Sequence, residues 1–285
     1  MKLVKYRSKQ GEISVGQLDD DRIYPLDLSG GHYRSLFDIL ETENPIETAN
    51  FLVNRSAAVA VDSVKLQAPI DHQEVWAAGV TYQRSQAARM EESEAAASCY
   101  DRVYNSPRPE LFFKATPNRV CGPNEPLRIR KDSKWNVPEP EITLVLNSRM
   151  VLCGFTIGND MSSRDIEGDN PLYLPQAKVY DQCCGLGPCV TLAGEMPPHD
   201  EIGIKMSISR DDIQVFFGVT NVGRMARPFG DLVGWLERDN SFPTGAFLLT
   251  GTGIVPDRDF TLKAGDRVAI EIDGIGVLSN PVVQG

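Results

Sequence analysis

Long apolar runs are missing from this chain of 285 residues, and so is any local crowding of basic charge. No stretch approaches the ~18 uninterrupted apolar residues of a membrane span. The opening MKLVKYRSKQ lacks the apolar core of a signal peptide, so a cytoplasmic protein with no membrane partner is expected. Lys and Arg together number 29 against 39 Asp and Glu, a net charge of −10. No window gathers enough of them to neutralise several phosphates, which excludes nucleic acid as a partner. Cysteine is sparse: the six present form no CxxC pair and no Cys/His cluster, so a zinc site is excluded and structural thiols are expected, the adjacent Cys183 and Cys184 included. The three histidines, His32, His72 and His199, stand outside every motif below. Neither a GxGxxG ahead of a helix nor a GxxxxGK[ST] occurs, which leaves nucleotide cofactors unsupported.

What is present is 41% hydrophobic and 24% charged, the composition of a folded globular chain with room for one large domain and a smaller one. Residues 1–70 read as short strands (Lys2 to Tyr6, Glu12 to Val15, Arg22 to Tyr24) followed by two helices, around Ser35 to Glu43 and Ile46 to Val53. This is a small N-terminal α+β domain. A stretch without periodicity, Val61 to His72, leads into the apolar run Val75 to Val80 and places the boundary near residue 70, with a second domain over 71–285. From Gln83 to Tyr104 there is neither Gly nor Pro, and Ala, Glu, Arg, Gln and Met predominate, which predicts a polar helix over 83–105 that is either a plain solvated helix or a lid.

Beyond Leu111 the pattern turns to short strands: Leu111 to Ala115, Ile142 to Leu146, Val151 to Ile157, Ile202 to Ile208, Ile213 to Phe217, Phe247 to Thr250, Val268 to Ile272 and Gly276 to Leu278. One clear helix, Asp231 to Arg238, interrupts them. The fold class that follows is α+β and β-rich, a sandwich or roll with short helices attached.

In VPEPEITLVL, Glu139 and Glu141 sit two apart at the head of a strand, so both project from one face, while Ile142, Leu144 and Leu146 are expected to pack the other. Pro140, without an N–H, implies a strand start or an edge. Like charges so close repel unless a proton or cation intervenes. The pair is therefore either a hard-cation site or two solvated surface glutamates. The run Val151 to Ile157 delivers Asn159 and Asp160 at its end, where a third carboxylate could reach the first two, with Arg164 following. Lys178 is an isolated lysine in an uncharged stretch: it is either an exposed loop residue or, buried beside a cation, a free amine able to take a proton. TGTGIVP, Thr250 to Pro256, could wrap a small anion with hydroxyls and N–H groups.

The order GVTYQRS, ELFFKATP, EPEITLVL, GFTIGNDMSSRD, AKVYDQCCGLGP, TGTGIVP and LKAGDRVAIEIDGIGVLSNPV closely resembles the fumarylacetoacetate hydrolase family from about Val75 to the C-terminus. The resemblance implies a mixed β-roll catalytic domain that binds Mg²⁺, or Mn²⁺ or Ca²⁺, through Glu139, Glu141 and Asp160. It puts the family's active-site lysine on Lys178 and substrate contacts on Ser85, Arg164 and the turn Thr250, Gly251, Thr252. It also implies a homo-oligomer, dimer or tetramer, acting on a small-molecule 2-keto acid. Hydrolases of the family carry N-Y-x-x-H-x-x-E, whose His and Glu activate water; the matching stretch here is T-Y-Q-R-S-Q-A-A, with Ser85 in the His slot and Ala88 in the Glu slot. The usual route to hydroxide attack is therefore absent.

SSRDIEGDNPLYLPQAKVYD, RPELFFKA and TYQRS look most like the family's dehydratase branch, which converts 2-keto-3-deoxy sugar acids to 2,5-dioxopentanoate. In that branch the residue matching Glu110 is a proton donor or acceptor; on spacing alone Glu110 reads as a surface residue at a strand edge. The implied chemistry is loss of a C3 proton to Lys178 through a metal-stabilised enolate, followed by expulsion of the C4 hydroxyl with Glu110 or a metal-oriented water as acid. Two alternatives stay open: an acylpyruvate hydrolase or oxaloacetate decarboxylase of the same family, and a non-catalytic metal- or ligand-binding module.

Overall fold

The computed structural model describes residues 1–82 and 102–285. Ser85 and the body of the expected helix over 83–105 lie outside the described residues; residues 102–105 are helical. Alternating residues in the N-terminal segment build β1 (Lys2–Arg7), β2 (Ile13–Asp19) and β3 (Arg22–Pro25), a meander in consecutive antiparallel register. Two short helices follow, α1 (Leu36–Leu40) and α2 (Pro45–Leu52). Each opens on a side-chain cap: Ser35 accepts from the Asp38 N–H, and Asn44 from that of Glu47, with Pro45 preset for the first turn. The short β4 (Val59–Ala60) and β5 (Lys65–Gln67) close this region.

The rest of the chain supplies β6 (Glu74–Gly79), β7 (Glu110–Ala115), β8 (Val120–Cys121), β9 (Leu127–Ile129), β10 (Asn136–Val137), β11 (Pro140–Leu146), β12 (Leu152–Asp160) and β13 (Ser162–Ser163). Then come α3 (Arg164–Asp169), α4 (Leu174–Lys178), β14 (Cys184–Leu192), β15 (Gly203–Arg210), β16 (Ile213–Asn221), α5 (Phe229–Leu236), β17 (Ala246–Leu249), β18 (Arg267–Ile272) and β19 (Gly276–Gln284). Among the described residues the main sheet runs β4-β3-β2-β1-β14-β12-β11-β17-β6-β7, with β5 beside β1 and β8 beside β14. It is mixed: β17 and β6 are parallel, most other pairs antiparallel. The N-terminal strands extend this sheet, since β1 pairs with β14, Lys2 opposite Thr191. A second sheet, β16-β15-β18-β19-β9, lies across it.

Apolar side chains fill both faces of the main sheet. Ile142, Leu144, Leu146, Ile157 and Leu248 pack with Ile204, Met206 and Ile270 of the second sheet. On the other face Val145, Val190, Phe247 and Leu249 pack with Leu36 and Ile39 of α1. The fold is thus the β-rich α+β class expected, but β11 is buried along its whole length, not on one face only. The same double burial hides β14 from a periodicity reading: CGLGPCVTL carries two Gly and a Pro and does not alternate, yet it lies between β1 and β12 in the sheet.

Candidate active site

Glu139 stands just ahead of β11 and Glu141 is the strand's second residue, so the pleat sends both side chains the same way. Pro140 between them occupies the strand's first position, and β17 takes up its pairing only from Thr143 onward. Asp160 ends the neighbouring β12. The two strand ends are locked together: the Asp160 N–H donates to the Glu139 carbonyl at 3.0 Å, and the Glu139 N–H to Asn159 Oδ1 at 3.2 Å. One carboxylate oxygen from each of Glu139, Glu141 and Asp160 lies within 4.8 Å of the others, and all three side chains are buried.

Three buried cations answer these three anions. Lys178, the last residue of α4 and 1% exposed, places Nζ 2.5 Å from Glu139 Oε2 and 2.9 Å from Asp160 Oδ2. Arg164 Nη2 lies 2.5 Å from Glu139 Oε1, and Lys114 Nζ 2.6 Å from Asp160 Oδ1. Glu141 receives the Gly251 N–H at 2.6 Å. Burial pushes the Glu141 carboxyl well above the ordinary glutamate range, and the nearby Asp160 and Glu139 push it further. Burial alone would lower the Lys114 amine, but the pairing with Asp160 more than offsets this and holds it above the usual lysine range. A carboxylate whose ionisation is disfavoured by burial and by two facing carboxylates is a group that a divalent cation would relieve. Three hard oxygen donors with nitrogen and sulfur ligands absent from the set suit Mg²⁺, Mn²⁺ or Ca²⁺.

The cleft beside the triad is lined by Gly79, Glu110, Phe112, Lys178, Gly251 and Thr252 as well as the carboxylates. Glu110 opens β7 opposite Gly79, in contact with it: a Cβ on Gly79 would fall 2.1 Å from Glu110 Oε2. The turn after β17 is built by hydroxyls. Thr250 Oγ1 donates to the Ile142 carbonyl at 2.8 Å, and Thr81 Oγ1 to the Thr250 carbonyl at 2.6 Å. Gly251 takes φ +94° there, a conformation that favours glycine. Thr252 borders the cleft with its Oγ1 engaged by the Ile254 backbone. Arg164, 1% exposed, faces Glu139 from the head of α3, and Ser85 lies outside the described residues. Two neighbours of the triad escaped the sequence reading, Phe112, whose ring centroid is 5.6 Å from Lys178 Nζ, and Lys114. The signal was in ELFFKA: Glu110, Phe112 and Lys114 recur at the period of a strand.

Fold and site together define a carboxylate-cage enzyme scaffold, a mixed β-roll with a buried lysine beside three convergent acids. The family model described as fumarylacetoacetate (FAA) hydrolase C-terminal matches residues 74–283, and the chain belongs to that family. A Haloferax volcanii protein named "Probable 2-keto-3-deoxyxylonate dehydratase" is 50% identical over 214 residues, 75% of this chain and 73% of its own. The 2-dehydro-3-deoxy-D-arabinonate dehydratase of Saccharolobus solfataricus is 42% identical over 225 residues, 78% of this chain and 76% of its own. A solved structure of 2-keto-3-deoxy-D-arabinonate dehydratase complexed with magnesium and 2,5-dioxopentanoate superposes with a TM-score of 0.86 at 34% identity, covering 100% of this chain and 99% of that one.

Proposed function

We propose that this chain is a hydro-lyase that dehydrates a 2-keto-3-deoxy sugar acid of the arabinonate type to 2,5-dioxopentanoate with Mg²⁺. The observation that carries the reading is the buried cluster of Glu139, Glu141, Asp160 and Lys178, in a chain whose two relatives above are sugar-acid dehydratases. Glu139, Glu141 and Asp160 would hold the ion, which supplies Lewis acidity toward the 2-keto carboxylate and so makes a C3 proton labile. Lys178 takes that proton as the free amine it would become once a bound ion had drawn Glu139 and Asp160 away from its Nζ; that Nζ sits at the cage wall, and the Phe112 ring beside it keeps bulk water away. Glu110, across the same cleft, gives a proton to the departing C4 hydroxyl, so one water leaves. A proton shift from C5 to C3 and tautomerisation of the resulting enol then complete the aldehyde. Arg164 and the turn Thr250 to Thr252 act on placement: Arg164 through Glu139, and Gly251 through the N–H it gives Glu141.

The test is product analysis on 2-keto-3-deoxy pentonates and hexonates, with Mg²⁺ and with EDTA. Metal-dependent 2,5-dioxopentanoate from the pentonate is the expected result. Carbon–carbon cleavage or CO₂ release from an acylpyruvate or oxaloacetate would instead place the chain among the hydrolases or decarboxylases of the family. Mg²⁺ binding with no turnover on any 2-keto acid would mark a binding module. A reducing compartment accords with five buried free thiols among the described cysteines, which supports a cytoplasmic address. A homo-oligomer, dimer or tetramer, accords with the uncharged and exposed outer face of β16, on which Ile213, Val215, Phe217 and Val219 line up.

A further inference from the structure

Lys114, like Arg164, is a fully buried cation at the triad that does not line the cleft, and its environment is unusual for a strand residue. The register between β6 and β7 slips there: Phe113 faces Trp76 and Ala115 faces Val75, so Lys114 is the extra residue of a bulge. Bulges concentrate beside active sites. This one carries an ammonium group under the floor of the cage. Its Nζ reaches Asp160 Oδ1 at 2.6 Å, the Met161 carbonyl at 2.9 Å and the Lys178 carbonyl at 2.5 Å. Two of the ammonium's donors go to the Met161 and Lys178 carbonyls, and the charge is paired with Asp160. The three acceptors belong to the end of β12 and the end of α4. No backbone hydrogen bond joins Asp160 or Met161 to Lys178 in the described residues, so Lys114 is the polar link that runs from the carboxylate's own side chain to the base's own backbone.

We infer that Lys114 is a positioning residue for the reaction, fixing Asp160 as a metal ligand and Lys178 as a base in one rigid unit; this rests on the reading of Glu139, Glu141 and Asp160 as the Mg²⁺ site. A lysine that only filled space would need no hydrogen bonds to two separate carbonyls. A lysine that only balanced charge would be satisfied by Asp160. The bond to the Lys178 carbonyl is the part that neither role requires, and it ties the backbone of the base to Asp160, in addition to the direct contact of Lys178 Nζ with Asp160 Oδ2.

The experiment is a Mg²⁺ titration by calorimetry, without substrate, of wild type, Lys114→Met, Lys114→Arg and Asp160→Asn, followed by kcat and KM at saturating Mg²⁺. Partners behind a metal ligand are commonly worth about 10- to 100-fold in metal affinity. Lys114→Met is expected to lose that much Mg²⁺ affinity and, at saturating Mg²⁺, to lose kcat at least about tenfold with KM changed far less. A folded Lys114→Met with wild-type affinity and kcat overturns the inference. If Lys114→Met does not fold, Lys114→Arg decides: charge is kept, so Mg²⁺ affinity stays close to wild type, but a guanidinium cannot put one nitrogen on all three acceptors, so kcat falls. Wild-type kcat in Lys114→Arg would then overturn the inference. Unaltered Mg²⁺ binding in Asp160→Asn refutes the metal-site reading itself, and the inference with it; loss in Asp160→Asn alone refutes only the role of Lys114.

Discussion

Gly79 matters through what it leaves out. The space where its Cβ would stand holds the Glu110 carboxylate, so a single methyl at 79 has to turn that group away from the cleft. Glycine inside a strand costs about 0.5–1 kcal/mol relative to alanine, so Gly79→Ala should leave thermal stability unchanged or slightly raised. Activity should fall about a hundredfold, the low end for losing a positioned acid. Dehydration assays beside a melting curve check this, and wild-type activity in Gly79→Ala would remove Glu110 as the proton donor. Lys178→Ala tests the opposite end of the cleft. With Nζ gone, the proton acceptor is lost while Glu139, Glu141 and Asp160 remain, so turnover should fall below about one part in a hundred while calorimetry still shows Mg²⁺ binding. Retained turnover would contradict the base assignment.

At the scale of elements, the site is an assembly of strand ends: β11 and β12 bring the acids, β7 brings Glu110, Phe112 and Lys114, and the short α4 swings Lys178 inward. E-P-E at a strand head and N-D at a strand tail are local patterns, so the acids could be picked out from sequence, but spacing left them open between a cation site and surface glutamates, and only the family resemblance joined the three. Lys114 shares the strand period of ELFFKA, but its place beneath the cage depends on strands far away in sequence, β6 beside it and β12 with Asp160. Helices α3 and α4 were equally hidden, each being only one or two turns long and held by contacts with the strands, not by periodicity. The strand β16 shows the converse. Its pattern was legible, yet Ile213, Val215, Phe217 and Val219 lie on the outer face, exposed, while Phe216 packs inward. An uncharged apolar row at a sheet edge favours pairing with another strand. Phe217→Lys is therefore expected to shift the particle mass measured by light scattering toward that of a single 31.4 kDa chain, without lowering the melting temperature of the isolated fold. An unchanged mass would move the contact between copies elsewhere.

For the whole molecule, the buried cage ties folding to pH and metal. Three carboxylates face the three basic side chains Lys114, Lys178 and Arg164 in the described cluster, so a divalent ion enters only as positive charge departs. A proton on Glu141, whose ionisation burial and the facing carboxylates disfavour, is one such charge. Its carboxyl titrates above the ordinary value of 4.5, so the folded state binds that proton more tightly than the unfolded chain does. The stability it contributes without metal is complete below pH 4.5 and drains away as pH climbs through the raised folded value. Mg²⁺ acts in the opposite direction, because the ion competes with the proton and binds the deprotonated cage. At a hundred times its dissociation constant, a ligand that binds only the folded state adds about 2.7 kcal/mol, or roughly 5 °C in melting temperature for a chain of this size. The difference in melting temperature between Mg²⁺ and EDTA should therefore be small near pH 5 and widen toward that figure as pH rises. Taking the difference cancels every other group that titrates alike in both conditions. A gap of constant size across the series would show that Glu141 gives up no proton when the ion arrives.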